Sequence, residues 1–208
     1  MGLERSAVTV VLGFDPSLSH SAAHWAGDGW HCEVGLRTGS FAIKSEPKNF
    51  AHRVARLRNI RDQLCAYMTG LTDRVGPGVA FVEGYSFGAR REQQSLGEWG
   101  GQLRLTMLDL GWDIVEVPPS TLKKYVTGKG TAEKDGMRME VLKRWKYEST
   151  DNNDADAYAL MRMGLDWVRW TNGEVVTKAL AETLGKLVVM RHDATVELPQ
   201  SKRRRKVA

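Results

Sequence analysis

The chain has 208 residues, 42% hydrophobic and 26% charged, which is enough for one α/β domain with a substantial core. Its two cysteines, Cys32 and Cys65, exclude a disulfide framework and a zinc pattern, and they predict a reducing, cytoplasmic location. The sequence contains no run long enough to span a membrane, and its first residues do not have the pattern of a signal peptide. We therefore expect no membrane partner.

The formal net charge of +5 is concentrated at one place. Residues 202–206 contribute five positive charges, so the rest of the chain is neutral overall. Within that rest, a basic stretch over residues 123–146 is followed directly by an acidic one over 148–156. This arrangement suits a site that binds a polyanion around metal ions. A solvated helix face with ion pairs explains the same charges equally well.

Apolar periodicity and breakers predict five strands and five helices. The first three strands form an antiparallel meander, with a hairpin turn at residues 27–29. The predicted strands are residues 8–15, 22–26, 30–43, 79–83 and 112–117, and the predicted helices are 50–68, 90–110, 132–145, a segment from 151–154 to about 167, and 176–187. This order predicts an α/β fold with a mixed five-stranded sheet flanked by helices.

Glycines interrupt the pattern at two places. Gly97, Gly100 and Gly101 lie in the predicted helix 90–110, where they indicate either a weak helix or a close helix contact, including one across a dimer. Residues 126–130 form a glycine-rich loop that is too short for a GxxxxGK[ST] phosphate-binding loop, which argues against an ATPase and a nucleotide cofactor.

Acidic residues end two of the predicted strands and open one helix. The first strand ends on Asp15 and the fourth on Glu83, and Asp156 lies in the first turn of the helix that follows residue 151. The carboxyl ends of buried strands are where open α/β sheets bind ligands. A single turn aspartate would explain one such motif, but three carboxylates from three elements predict a site for a pair of Mg²⁺ ions, in which Mn²⁺ can substitute.

Four motifs occur in order along the chain. They are the GFDPS sequence at 13–17, the VE pair at 82–83 with its aromatic loop, the KKYVTGKGTAEK sequence at 123–134, and the DADAYAL sequence at 154–160. Together they resemble the RuvC family of Holliday-junction resolvases, within the RNase H-like (retroviral integrase) superfamily, and look closest to its phage-encoded forms. The resemblance covers about residues 7–168. The implied domain organisation is a nuclease domain over 1–170, a C-terminal helix over 171–190 and a basic, disordered tail over 191–208.

The resemblance implies a magnesium-dependent endonuclease that acts as a homodimer and nicks two symmetric strands of a four-way DNA junction. Asp15, Glu83 and Asp156 would be catalytic metal ligands, and Lys134 would lie near the scissile phosphate. Phe87, or alternatively Tyr85, would stack on an unpaired base at the crossover. The further candidates for DNA contact are Lys123, Lys124, Lys129, Arg90 and Arg91.

The chain departs from the family at the fourth ligand, which usually lies three residues before the last aspartate. That position is Asn153, which shares a helix face with Asp156, whereas Asp154 would point about 200° away from it. If the helix starts only at Asp154, then Asp154 or Asp151 could reach the metal instead. We expect Asn153 to be the fourth ligand, with Asp154 as the alternative.

Several other functions fit parts of this pattern. Another RNase H-like nuclease, cutting an RNA–DNA hybrid or a flap, would use the same acids. A catalytically silent junction-binding protein would keep the basic surface without needing Asp15. The actin-like ATPases also place an aspartate after a first strand, but they require a larger, duplicated domain. The basic tail could be a nonspecific nucleic-acid tether or a solvated end, and a phage protein would act in the bacterial host cytoplasm.

Overall fold

A six-stranded mixed sheet with helices on both faces forms the fold. The computed structural model describes residues 10–28, 36–45, 53–84, 93–131 and 134–193. The elements are β1 (Val11–Asp15), β2 (His20–Asp28), β3 (Leu36–Lys44), α1 (Arg53–Val75), β4 (Val79–Glu83), α2 (Gln93–Asp109), β5 (Asp113–Val117), α3 (Pro119–Thr127), α4 (Lys134–Trp145), α5 (Asn152–Thr171), α6 (Lys178–Leu184) and β6 (Val189–Met190).

The sheet has the strand order β3-β2-β1-β4-β5-β6. The first three strands pair antiparallel, β1, β4 and β5 are parallel neighbours, and β6 pairs antiparallel with β5. The carboxyl ends of β1, β4 and β5 therefore meet at one edge of the molecule. The predicted mixed α/β sheet is confirmed, and it contains one strand more than predicted.

Side chains alternate along the central strands, so the sheet separates two hydrophobic cores. Leu12 and Phe14 of β1 face a core shared with α1 and α2. Val11 of β1 faces the opposite core, which contains residues of α3, α4, α5 and α6. Burial of these two apolar faces gives the three-layer arrangement its stability.

The helix α5 lies unusually close to β1. A Cβ atom on Gly13 would overlap the carbonyl oxygen of Ala157 and the amide nitrogen of Met161, and it would lie 2.9 Å from Met161 Cα. Further along, a Cβ atom on Gly164 would lie 2.8 Å from Phe81 Cδ2. Glycine is therefore required on both surfaces, because any side chain there would separate the helix from the sheet.

Two helices differ from the predictions in extent or type. The helix predicted over 50–68 continues to Val75, because Leu71 extends its buried face and the left-handed Gly76 (φ 79°) ends it. The prolines after β5 stop that strand as predicted, but Pro119 also begins α3, since proline fits the first turn of a helix. Its C-terminal cap is the left-handed Gly128 (φ 77°).

The last predicted helix, over 176–187, is shorter and is followed by an unpredicted strand. Helix α6 ends at Leu184, and β6 then adds two residues to the edge of the sheet beside β5. The division into a domain over 1–170 and appendages stays a prediction. The hairpin turn predicted at 27–29 is wrong for Gly27 and Asp28, because both continue β2 and pair with β3. Residue 29, the start of the predicted third strand and the tail after residue 193 lie outside the described residues. None of the described helices is long and apolar enough to cross a membrane.

Candidate functional site

Two carboxylates end neighbouring parallel strands at the same level. The register pairs Phe14 of β1 with Val82 of β4, so Asp15 and Glu83 follow side by side at the strand ends. Both lie at the alternate positions whose side chains face the α5 layer, in line with Val11 on β1 and Phe81 on β4. Asp15 is buried, with 5% of its surface exposed, and Glu83 is half-buried.

The third carboxylate belongs to the first part of α5. This helix runs antiparallel to β1, because its backbone near Ala157 and Met161 covers Gly13 and its Gly164 covers Val11. A strand rises about 3.3 Å per residue and a helix about 1.5 Å. Asp15, two residues beyond Gly13, is therefore level with the first turns of α5, where Asp156 lies.

The donor chemistry of these residues fits a hard cation. Carboxylate oxygens are the ligands that Mg²⁺ and Mn²⁺ prefer. Within the described ranges, however, no three acidic, histidine or cysteine side chains converge closely enough to form a complete ligand cluster. The three acids thus lie at the same end of the sheet, on the side covered by α5. Their joint coordination of metal ions stays a prediction.

Asp151 and Asn153 attach the start of α5 to β2. Asp151 caps the helix, since its Oδ1 accepts a hydrogen bond from the Asp154 amide at 2.9 Å, while its Oδ2 lies 2.9 Å from His20 Nδ1. The side-chain Nδ2 of Asn153 donates to the carbonyl oxygen of His20 at 2.6 Å. The side-chain nitrogen of Asn153 therefore binds β2, and only the side-chain oxygen could coordinate a metal.

Asp154 is buried and belongs to a separate hydrogen-bond network. Its carboxylate lies 2.6 Å from His24 Nε2, and it accepts hydrogen bonds from the Tyr147 hydroxyl and from the amide and hydroxyl of Thr150. Burial alone would raise the pKa of Asp154, but the hydrogen bonds from His24, Thr150 and Tyr147 outweigh it and hold the pKa below its usual value. Which of Asn153 and Asp154 serves as a fourth ligand stays a prediction.

The predicted DNA-binding lysines lie on and after α3. This helix begins immediately after β5, whose Val117 pairs with Glu83, so it starts at the acidic edge of the sheet. Lys123 is half-buried, whereas Lys124 and Lys129 are exposed. Lys134 is the first residue of α4, and its side chain lies outside the described residues. So do Tyr85, Phe87, Arg90 and Arg91.

One member of the basic stretch has a structural role that the sequence did not reveal. Arg144 donates to the carbonyl oxygens of Tyr125 and Val126 at the end of α3, at 2.6 and 2.9 Å. Its guanidinium also lies over the rings of Tyr125 and Trp145, 5.5 and 4.9 Å from their centroids. Cations near a helix C-terminus are stabilising, so this arginine fixes α3 against α4.

The histidines of β2 are the site-adjacent residues that sequence reasoning missed. His20 and His24 both point from β2 toward the start of α5. The available signal was a polar residue at a core-facing position, because Ala22 and Ala26 flank His24 on the same face of its strand. Their partners lie about 130 positions away in the chain, and no local pattern identifies them.

The sequence is similar to two proteins of known name. No protein-family model matches the chain. The crossover junction endodeoxyribonuclease RuvC of a Synechococcus species is 26% identical over 156 residues, covering 74% of this chain and 96% of that protein. The crossover junction endodeoxyribonuclease RuvC of Prochlorococcus marinus is 34% identical over 91 residues, covering 43% of this chain and 59% of that protein.

Solved structures share the fold. The Thermus thermophilus RuvC structure aligns with a TM-score of 0.57 and 18% identity, covering 88% of this chain and 100% of that one. T. thermophilus RuvC in complex with Holliday junction substrate aligns with a TM-score of 0.60 and 19% identity, covering 78% and 96% respectively. The predicted RNase H-like α/β fold is thereby confirmed.

Proposed function

We propose that the chain is a member of the RuvC family, like the relatives to which its sequence is similar, and that it is a structure-selective endonuclease that resolves four-way DNA junctions by paired phosphodiester hydrolysis. The main supporting observation is that Asp15 and Glu83 end neighbouring parallel strands on the face covered by α5. A set of acids at one edge of a sheet, beside the lysines of α3, is suited to cut a polyanion.

In this proposal Asp15, Glu83 and Asp156 hold two Mg²⁺ ions, with Asn153 as the fourth ligand. Bound ions of this kind supply an activated water and stabilise the leaving oxygen of a phosphodiester. Burial of Asp15 excludes bulk water from its side of the site and strengthens its electrostatic interactions. Lys134 would stabilise the scissile phosphate from the start of α4.

The DNA would approach the acidic edge of the sheet along α3. Lys123, Lys124 and Lys129 would contact its phosphates there, and such contacts make affinity fall as salt rises. Phe87, or Tyr85, would stack on an unpaired base at the crossover, and Arg90 and Arg91 would contact the backbone beside it. These four residues follow directly after the Glu83 strand in the chain.

We propose a homodimer, because two symmetric nicks need two equivalent sites. The exposed face of α2 is suited to such pairing. Leu105 on this helix is 62% exposed, and a Cβ atom added to Gly97 or Gly101 would meet no other atom of the described residues within 4 Å. Positions four apart share a helix face, so these three residues form one small and apolar surface. We place the protein in the cytoplasm, that of a bacterial host if a phage encodes it.

The direct test is cleavage of a synthetic four-way junction with and without Mg²⁺. We expect paired symmetric nicks that require the metal. Metal-dependent cutting of an RNA–DNA hybrid alone would replace this function with that of an RNase H-type enzyme. Binding without any nick would indicate a silent junction-binding protein.

A matched pair of glutamates tests the site itself. Glu116 on β5 pairs with Val82, one position before Glu83, but it lies on the α2 face, 3.2 Å from Arg104 Nη2. Glu83→Gln should abolish cutting while junction binding persists, and Glu116→Gln should cut normally. Undiminished cutting by Glu83→Gln, or by Asp15→Asn, would refute the assignment.

A further inference from the structure

The first turn of α5 is held on β2 by a polar cluster, which we call the His24 cluster and which consists of the buried His24 and Asp154 together with Tyr147 and Thr150. His24 is 6% exposed and Asp154 is 9% exposed. The shortest contact, 2.6 Å, joins His24 Nε2 to Asp154 Oδ1, and the Tyr147 hydroxyl lies 3.2 Å from the same nitrogen. The nuclease proposed above uses none of these four residues.

Aromatic packing fixes the orientation of the imidazole. The rings of Tyr147 and Tyr158 stack at 4.0 Å with an interplanar angle of 4°. The His24 ring stands nearly perpendicular to both, at centroid distances of 5.2 and 5.4 Å. The imidazole therefore has one orientation in which to meet the Asp154 carboxylate.

The cluster contacts α5 on the side of the helix opposite to Asp156. Asp154 and Asp156 are two positions apart in the chain, which corresponds to a rotation of about 200° about the helix axis. On the sheet, His24 pairs with Gly13, the residue on which the α5 backbone lies, and Asp15 follows two positions later. The contact between His24 and Asp154 thus constrains both the rotation of the helix and its position on the strand that carries Asp15.

Small rotations of α5 would displace the Asp156 carboxylate from the other two acids. A side-chain tip about 6 Å from the helix axis moves about 2 Å when the helix turns by about 20°. An apolar pair in place of a buried ion pair often gives equal or greater stability. A buried histidine and aspartate at this position are therefore better explained by orientation than by stability.

We propose that His24 and Asp154 are positioning residues, which set the rotation of α5 and thereby aim Asp156 at Asp15 and Glu83. This inference rests on the function proposed above. It assigns Asp154 a role different from metal ligation, since its carboxylate is directed at His24, Tyr147 and Thr150.

The test compares binding of Mn²⁺ to the free protein with binding and cleavage of the junction. His24→Phe keeps a ring beside the stacked tyrosines but removes the hydrogen bond to Asp154. We expect the Mn²⁺ concentration at half-saturation, measured by electron paramagnetic resonance of the unbound ion, to rise about tenfold, as for other groups that orient metal ligands. Junction affinity without metal should stay unchanged, and added Mg²⁺ should partly restore cleavage.

Two tyrosine variants provide a matched comparison. Tyr147→Phe removes a hydroxyl that lies 2.9 Å from Asp154 Oδ2 while keeping the stacked ring, so it should weaken Mn²⁺ binding in the same direction but less. Tyr158→Phe removes a hydroxyl that donates nothing to Asp154 among the described contacts, and it should bind Mn²⁺ normally. If His24→Phe fails to fold, the difference in Mn²⁺ affinity between these two variants decides whether the cluster positions α5. Equal affinities would refute the inference.

Other outcomes would overturn the inference. A folded His24→Phe protein with normal Mn²⁺ binding would refute positioning. Loss of Mn²⁺ binding in Asp154→Asn, with normal binding in both His24→Phe and Tyr147→Phe, would make Asp154 a ligand instead. If the unaltered protein binds Mn²⁺ but cuts no junction, the proposed function fails, while the comparison of Mn²⁺ affinities still judges the role of His24.

Discussion

Replacing Gly13 by alanine should displace α5 from β1, because the new methyl group would occupy the space of the Ala157 carbonyl and the Met161 amide. The obstructing atoms belong to the helix backbone, so no side chain can rotate away. Carbon atoms pack favourably at about 3.5 Å, whereas Met161 Cα would lie at 2.9 Å, with closer overlaps beside it. The helix must therefore retreat by roughly 1 Å.

This retreat has a cost in stability and a cost in activity. Overpacking a core by one methyl group costs up to about 3 kcal/mol, a large part of the roughly 5–15 kcal/mol that stabilises a domain. Asp156 lies next to Ala157 and would move with it relative to Asp15. A misplacement of about 1 Å at a catalytic group can lower a rate about 100-fold.

Urea unfolding followed by circular dichroism measures the first effect, and nicking of a four-way junction at saturating Mg²⁺ measures the second. Gly136→Ala is the matched control, because a Cβ atom at this position of α4 would meet no described atom within 4 Å. It should keep full activity and gain up to about 1 kcal/mol from helix propensity. If Gly13→Ala unfolded at the original urea midpoint and cut at the original rate, then α5 would not rest on this glycine.

Three further predictions concern other parts of the fold. Burial would raise the pKa of Asp113, but hydrogen bonds from His192 and Arg191 outweigh it and lower the pKa. The stability lost in Asp113→Asn should therefore be full at neutral pH and shrink as the pH falls below about 4, the ordinary pKa of an aspartate; an equal loss at neutral and acidic pH would contradict this. Thr72→Val should cost about 1–3 kcal/mol in urea unfolding, because Trp112 Nε1 loses the hydroxyl that it binds at 2.8 Å; a smaller loss would mean that another acceptor replaces it. Leu105→Glu should convert the proposed dimer to a monomer in analytical sedimentation, and an unchanged mass would exclude the α2 face.

The strands that carry the acids could be predicted because local pattern decides them. Runs of β-branched and apolar residues before Asp15 and Glu83 fit strands buried on both faces. The two-residue strand β6 could not be predicted, since it forms only by pairing with β5. The start of α3 was missed because prolines end strands and begin helices alike.

The surroundings of the acids could not be predicted for a different reason. The contact between His24 and Asp154 joins positions 130 residues apart, and it depends on how β2 and α5 pack. The sequence likewise identified Gly13 only as part of a motif. Its physical role, allowing the backbone of α5 to touch the sheet, follows from the three-dimensional contact with Ala157 and Met161.

The division of the molecule into two cores has a consequence for a dimer that contains one intact and one defective subunit. The surface proposed for pairing, around Leu105, belongs to the α2 side of the sheet, whereas Asp15 and Glu83 face the other side. A subunit that has lost a carboxylate would consequently still find a partner, and the mixed pair would cut one strand of a junction and leave the other joined. A defective copy of this protein would therefore interfere with intact copies in the same cell instead of being merely silent.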